Sequence, residues 1–300
     1  MKNQPTVFVL TNTRDLAADD VIRRASESHE VVRLNADLLP LGPDWLVKDE
    51  VQRRGVVWWR QFESWPTDLL QASEIDDLMV TRAQWRAWIS ILETAGMPWV
   101  NGIWQARRAE NKIEQLRIAR DCGFSVPDTL VTNQKESAKT FAKSGPSVVK
   151  SLSSAYFEFS GDGFVYTHSL EDVLDYSEVE WRSQPVILQQ RILGADARVI
   201  TFDGLSFGAK CETDEVDWRI AGAETKWSPW VVPPHLHSMC SHYMEALGLR
   251  YAAFDFILTE EAEWFLEANQ AGEWAFLDRS LHLGIAEAFT NFLVTLANAP

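Results

Sequence analysis

The stretch that most restricts the fold lies near the C-terminal end: Phe254-Asp255-Phe256-Ile257-Leu258, followed by Trp264-Phe265-Leu266-Glu267-Ala268-Asn269. Strand side chains alternate between faces. Phe254, Phe256 and Leu258 therefore share one face, and Trp264, Leu266 and Ala268 share one face of the partner run. Only a register that opposes these two sets buries both together. A loop over residues 260–262 gives that register. It sets Asp255 opposite Glu267, with Asn269 two residues along on the same face. A slip of one residue would press acids into an apolar core. Hydrophobic pairing alone thus predicts oxygen-bearing side chains converging on one side of a hairpin. Such donors suit hard cations such as Mg²⁺, which binds through one or two carboxylates plus substrate phosphates. The competing reading is a solvated strand face with ordinary polar residues.

Upstream, strands and helices alternate. Thr6–Leu10, Val31–Leu34 and Gly55–Trp59 have strand length and apolarity, and Ala17–Ser28 reads as a helix. Trp85, Trp88, Ile89 and Leu92 recur at helical spacing until Gly96 and Pro98 end the run. This alternation predicts a parallel sheet with packed helices, an α/β architecture. The turn after the first strand, Thr11-Asn12-Thr13-Arg14-Asp15, contains no glycine. A dinucleotide-binding turn needs glycines there, so NAD and FAD are excluded from this unit.

A helix over Asn111–Cys122 closes at Gly123, a strand follows over Thr129–Thr132, and Asn133 is the expected cap of the next helix. Ser147–Lys150 and Phe164–Thr167 read as short strands. Val186–Leu188 opens a third group. Arg198–Phe202 and Leu205–Cys211 flank Asp203-Gly204, a strong hairpin signal. Pro234–Leu247 and Ile285–Leu296 read as helices. The expected units are 1–105, 106–185 and 186–300.

With 28 Lys and Arg against 43 Asp and Glu, the net charge is -15. That balance argues against nucleic acid as a partner, because phosphate neutralisation needs a basic surface. Apolar runs stay far below the ~20 residues of a membrane span, and no signal peptide opens the chain. Cys122, Cys211 and Cys240 form neither a disulfide framework nor a CxxC pair. A reduced, cytoplasmic protein without membrane or nucleic-acid partners is expected.

Polar residues at the ends of apolar strands extend the hairpin's message. Lys150 ends the Val148-Val149 run; its plain alternative is an exposed terminus snorkelling to water. Lys112, early in its helix, has a surface lysine as the default reading. Gln189-Gln190-Arg191-Ile192 follows a buried strand and precedes Asp196 and Arg198. Arg198 and Arg219 offer planar forks of donors suited to phosphate oxygens, against the alternative of surface ion pairs.

Taken in order, Lys112, Lys150, Gln189-Gln-Arg-Ile, Asp196-Ala-Arg198-Val, Asp217-Trp-Arg219, Asp255 and Glu267-Ala-Asn269 resemble the motifs of the ATP-grasp superfamily of carboxylate-amine ligases. Val57-Trp-Trp-Arg60, Gly123-Phe-Ser-Val-Pro-Asp-Thr-Leu and Phe265-Leu-Glu-Ala-Asn-Gln-Ala-Gly-Glu-Trp274 are similar to one branch, the maturases of ribosomal peptides (microviridin-type, or graspetide, macrocyclases). The resemblance runs over nearly the whole chain. It implies an ATP-grasp fold with an N-terminal pre-ATP-grasp domain and ATP between the central and C-terminal subdomains. It implies that Lys112 and Lys150 contact nucleotide phosphates, Gln189, Gln190 and Ile192 form the adenine hinge, and Asp196 sits by the ribose. Arg198 and Arg219 would hold the γ-phosphate and acyl phosphate, and Asp255, Glu267 and Asn269 would bind Mg²⁺. The implied reaction joins an Asp or Glu side chain to a Thr, Ser or Lys side chain of a precursor peptide. A homodimer is expected.

The chain departs from the branch in three places. Gln189-Gln190 stands where many relatives carry an acid, Ser151–Gly163 lacks a glycine run, and Gln270 replaces a common proline. Two other classes stay open: a ligase of free amino acids or of a protein tail, and a silent leader-peptide-binding partner. His235, His237, Cys240 and His242 are weighed as zinc ligands, with a capped helix favoured. Fourteen tryptophans read mainly as core and interface residues. The acidic run Glu212, Asp214, Glu215 and Asp217 is either a solvated turn or, by the resemblance, part of the leader-holding segment.

Overall fold

The computed structural model describes residues 5–36, 38, 54–60, 75–152, 156–158, 162–164, 167–175, 177–183, 185–213 and 225–299. The first unit runs β1 (Thr6–Thr11), α1 (Leu16–Ala25), β2 (Glu30–Asn35), β3 (Gly55–Trp59), α2 (Ile75–Thr94) and β4 (Trp99–Val100). Its sheet, in the order β2-β1-β3-β4, is parallel throughout, as the alternation predicts. Strands covered on both sides need no polar face, which is why Val7–Leu10 reads as unbroken apolar sequence. Phe8, Leu10 and Val57 pack on Trp85 and Leu92 of α2. Val7, Val9, Val56 and Trp58 pack on the α1 residues Ala17, Ala18 and Val21 and on Phe289 and Leu293 from the far end of the chain.

The middle of the chain runs α3 (Ile103–Ala109), α4 (Lys112–Asp121), β5 (Thr129–Thr132), α5 (Lys135–Ala142), β6 (Ser147–Ser151), β7 (Tyr156–Glu158), β8 (Asp162–Phe164), β9 (His168–Ser169), α6 (Leu170–Val173), α7 (Glu178–Ser183) and β10 (Val186–Gln190). β5-β10-β6-β9 form an antiparallel sheet, and β7 pairs with β8. One expectation is corrected. Gln134, not Asn133, precedes α5, and it makes no side-chain cap bond. The Thr132 hydroxyl instead accepts from the Gln134 N–H at 3.0 Å, turning the chain before Asn133 can act. Of the strand expected over 164–167, Phe164 lies in β8 beside Tyr156 and Thr167 in no strand, with pairing again at His168 in β9; residues 165 and 166 lie outside the described residues.

The last part runs β11 (Ala195–Phe202), β12 (Leu205–Cys211), β13 (Trp227–Trp230), α8 (Pro234–Leu247), β14 (Tyr251–Leu258), β15 (Glu263–Asn269), α9 (Ala275–Leu281) and α10 (Ile285–Asn298). The antiparallel sheet has the order β13-β12-β11-β14-β15. Asp203 and Gly204 turn the β11–β12 hairpin with φ of 48° and 72°, the mirror-image turn that matches strand twist. One face of the sheet, carrying Val199, Phe254, Phe256 and Phe265, is sealed by Leu236, Cys240, Tyr243 and Leu247 of α8.

The hairpin register needs one correction. Asp255 does oppose Glu267, and Phe254 opposes Ala268. A bulge follows, so Phe256 opposes Phe265 and Leu258 opposes Glu263. Leu266 is the extra residue, and Phe265 takes the core position. The Phe265 N–H donates to the Ser125 carbonyl at 2.8 Å, across the outer edge of β15. Its ring then lies 5.3 Å from Phe124 and 5.6 Å from Tyr243, centroid to centroid. The loop lengthens to 259–262, closed by Thr259 donating to the Ala262 carbonyl.

Candidate active site

The sheet face opposite α8 carries a polar row. Arg198 on β11 lies directly opposite Asp255 on β14, which lies directly opposite Glu267 on β15. Opposed residues project to the same side, so strand pairing alone brings the three together. The Arg198 Nε is 3.6 Å from Asp255 Oδ1. The Lys112 Nζ is 3.7 Å from Glu267 Oε2, extending the row. Asn269 stands opposite Ala253 on this face and is exposed; its Oδ1 accepts from the Ala271 N–H at 3.2 Å.

Lys112 reaches the row because α4 is anchored to β15. Asn111 caps the helix, accepting from the N–H groups of Ile113 and Glu114 at 3.1 and 3.2 Å. Gln115 accepts from the Ala268 N–H at 3.0 Å and donates to the Ala109 carbonyl at 2.6 Å. Nothing in the sequence singled out Gln115, since its partner lies far along the chain.

The antiparallel sheet of the middle unit holds a second polar group. Lys150 on β6 donates to Gln189 Oε1 at 2.8 Å, and Gln189 Nε2 donates to the Thr129 hydroxyl at 3.2 Å. The Gln189 side chain is thus buried and engaged inside the sheet, while Gln190 faces outward. The Gln190 N–H donates to the Asp128 carbonyl at 2.9 Å, and Ile192 beyond it is half-buried. Asp196, two residues before Arg198, shares its face of β11. Burial first, and the Asp196 charge second, push the Cys211 thiol up to about 12. Arg219 lies outside the described residues, as do Asp214, Glu215 and Asp217 of the acidic run and Trp218.

Two observations test whether a metal ion and a triphosphate suit this face. The donors are two carboxylates and an amide oxygen, all hard and partly accessible, with Asp255 and Glu267 side chains 19% and 31% exposed. Arg198 is buried, yet its Nε has no hydrogen-bond partner among the described residues. A buried guanidinium N–H without an acceptor is costly, and a phosphate oxygen would satisfy it. The residues fit both groups. The histidine cluster, by contrast, is dispersed: His235 meets Glu263 at 3.2 Å, His237 meets the Ser206 hydroxyl at 2.8 Å, and Cys240 is buried on the face of α8 that packs against the sheet. Among the described residues no group of three His, Cys, Asp or Glu gathers around a metal-sized space.

Arg60, directly after β3, had no role assigned from its motif. It is 1% exposed and binds Asp15 through Nε at 3.1 Å. Its Nη1 donates to the Ala271 and Gly272 carbonyls at 2.9 and 2.6 Å, and its Nη2 pairs with Glu273 at 2.5 Å. Asn101, fully buried, binds the same loop, donating to the Gln270 carbonyl at 2.8 Å. Gly272 of that loop lies against the row: a Cβ there would sit 2.4 Å from Ala253 Cβ and 3.1 Å from Arg198 Nη2. Only glycine permits so close an approach.

No protein-family model and no curated protein matches the sequence. Solved structures match in fold. The macrocyclase MdnC of Microcystis aeruginosa, bound with its precursor peptide MdnA, superposes with a TM-score of 0.82 at 23% identity, over 97% of this chain and 99% of that one. A RiPP-associated ATP-grasp ligase of Chryseobacterium gregarium, in complex with ADP and a leader and core peptide, gives 0.83 at 23%, over 99% and 98%. The ATP-grasp ligase PsnB, complexed with minimal precursor, Mg and ADP, gives 0.78 at 21%, over 97% of each chain. The fold is that of the ATP-grasp enzymes, and within it the chain resembles ligases of ribosomal precursor peptides, as its motifs implied.

Proposed function

We propose that this chain is an ATP-dependent ligase that forms ester or amide crosslinks between Asp or Glu and Thr, Ser or Lys side chains of a ribosomal precursor peptide. The observation that carries the reading is the Lys112–Glu267–Asp255–Arg198 row, whose buried Arg198 Nε has no hydrogen-bond acceptor among the described residues. Its support from kinship is that MdnC, the C. gregarium ligase and PsnB share the fold over nearly their whole lengths and were seen with precursor, leader or core peptides.

In this reading Asp255, Glu267 and Asn269 hold Mg²⁺, which when bound neutralises charge on the transferring phosphoryl group. Lys112 and Lys150 contact the nucleotide phosphates. The adenine lies along Gln189–Ile192. Because the Gln190 N–H is committed to Asp128, Gln190 contributes its carbonyl there. Asp196 serves the ribose. Arg198 and Arg219 hold the γ-phosphate and then the acyl phosphate. A substrate carboxylate attacks the γ-phosphorus, ADP leaves, and a hydroxyl or amine of the same peptide displaces phosphate to give the ester or amide. Carriage of both reacting groups on one bound chain supplies proximity, and the fixed cationic side chains stabilise charge where it develops.

Incubating the protein with ATP, Mg²⁺ and a small Thr- and Asp/Glu-rich precursor peptide, sought first among reading frames beside its gene, is expected to produce mass losses of one water per bond. Ligation of free amino acids without such losses would overturn the peptide reading. ATP binding without turnover on any acceptor would point to the silent partner. The same reading places the enzyme in the cytoplasm as a homodimer, which light scattering of the purified protein checks.

A further inference from the structure

We infer that Arg60, at the end of a strand in the first unit, is a positioning residue for the metal and phosphate ligands of the C-terminal sheet. The inference rests on the ligase reading above and adds to it a residue that contacts neither peptide nor nucleotide.

The geometry runs in three steps. Arg60 is held from behind by Asp15, which receives its Nε and also the Thr11 hydroxyl, both through Oδ2. Asp15 keeps its other oxygen for the N–H of Ala18 at the start of α1. The guanidinium is therefore fixed in the first unit before it meets the third. In front, Arg60 grips three successive residues, taking the carbonyls of Ala271 and Gly272 and the carboxylate of Glu273. Tyr251 donates its hydroxyl to the same Gly272 carbonyl at 2.6 Å. Glu273 in turn accepts from the N–H groups of Trp274 and Ala275 at 3.0 and 2.7 Å, so the grip extends to the start of α9. Finally, the gripped loop touches the row itself. Ala271 donates to Asn269 Oδ1, and the α-carbon of Gly272 is wedged among Ala253, Arg198 and Asn269.

A planar fork with donors on three nitrogens suits this task. Lysine, with one nitrogen, cannot hold two carbonyls and two carboxylates at once. Loss of the grip would free the loop to shift relative to Arg198 and Asn269, and displacements of ~1 Å near reacting groups cost about 10²-fold. The consequence is that the N-terminal unit, which contributes no proposed ligand, sets the shape of the metal site.

The test is MgADP affinity by calorimetry, read beside the melting temperature. Arg60→Lys is expected to weaken MgADP binding at least tenfold at a temperature where the variant is folded. Glu273→Gln keeps the Oε1 acceptor for α9 while removing the charge that faces Arg60, and it should weaken binding three- to tenfold; it serves if Arg60→Lys does not fold. Because the effect passes through Asn269 and its loop, adding Arg60→Lys to Asn269→Ala should change affinity less than threefold. Variants that melt lower yet bind MgADP within twofold of the parent would overturn the inference and leave the ligase reading standing, as would effects that multiply with Asn269→Ala. A parent protein that binds no MgADP at all would overturn the ligase reading, and this inference with it.

Discussion

Two buried arginines stand on neighbouring parts of the molecule under opposite conditions. Arg60, 1% exposed, has carboxylates or carbonyls at hydrogen-bonding distance from each of its nitrogens. Burial alone would lower its pKa, but the Asp15 and Glu273 charges outweigh burial and raise it. Arg198, 7% exposed, faces Asp255 at 3.6 Å, and among the described residues its Nε has no hydrogen-bond acceptor. Arg198 lies within β11 and Arg60 directly follows β3, and at both places a charge is turned inward. The difference is that the first environment is closed by protein groups and the second is left open on one side. A closed charge is a joint; an open one awaits a ligand. The comparison can be broken by showing that the open row is really structural, or that the joint is dispensable.

The largest effect is expected at the open row. Asp255→Asn keeps the size of the side chain and removes its charge. ATP turnover with peptide should fall on the order of 10³-fold, the upper end of what one lost electrostatic contact to a reacting group costs. The melting temperature should move by only a few degrees, since the nearest Arg198 nitrogen lies at 3.6 Å. Steady-state kinetics and calorimetric melting check both halves. A variant that turns over normally but unfolds easily would reverse the assignment.

The joint should show the opposite balance. Asp15→Asn preserves the Oδ1 acceptor that caps α1 and removes the charge facing Arg60. Breaking a buried pair by removing one partner costs about 3 kcal/mol or more, so stability at pH 7 should fall by about that much. The pH dependence has a definite sign. Burial alone would raise the Asp15 carboxyl, but the Arg60 charge and the Thr11, Ala18 and Arg60 hydrogen bonds outweigh it, and its pKa lies below the ordinary value of 3.8. A carboxylate with a depressed pKa stabilises the fold above the ordinary value and loses that contribution as pH falls through the depressed one. The gap between parent and variant should therefore be constant near neutrality and close below about pH 4. Denaturant titrations across that range measure it; a constant gap would mean that Asp15 acts by packing alone.

How much of this could be read from the sequence differs between the two arginines, and for a physical reason. The row is local in pattern. Period-2 alternation around Asp255 and Glu267 fixed their pairing, and the Asp203-Gly204 hairpin set β11 beside β12, so Arg198 could be singled out. What escaped the pattern came from distant chain. The bulge at Leu266 exists because Phe265 finds an acceptor in Ser125. Arg60 could be given no role from local pattern because its partners Ala271–Glu273 lie more than 200 residues away. The short helices α3 and α9 have no side-chain cap bond, and so no local signal marked their starts. Gln115 was hidden in the same way, since its acceptor role is defined by Ala268.

The smallest expected effect bears most directly on whether the row is open. Lys112 is the one lysine of the row, with its side chain 20% exposed and its nitrogen 3.7 Å from Glu267. At that separation the pair is an ion pair without a hydrogen bond, reached by solvent on both sides, and such pairs contribute between nothing and about 1 kcal/mol. Lys112→Met keeps the length and the apolar stem of the side chain and removes the charge. Because α4 is fixed by Asn111 and Gln115 and not by this contact, the helix should keep its place. Stability should then change by less than about 1 kcal/mol, while MgADP affinity falls several-fold through the lost phosphate contact. A loss of stability approaching that of Asp15→Asn would mean that Lys112 and Glu267 form a structural network like the one around Arg60. The contrast between an open row and a closed joint would then be wrong at its weakest contact, and Arg198 would have to be reassigned along with it.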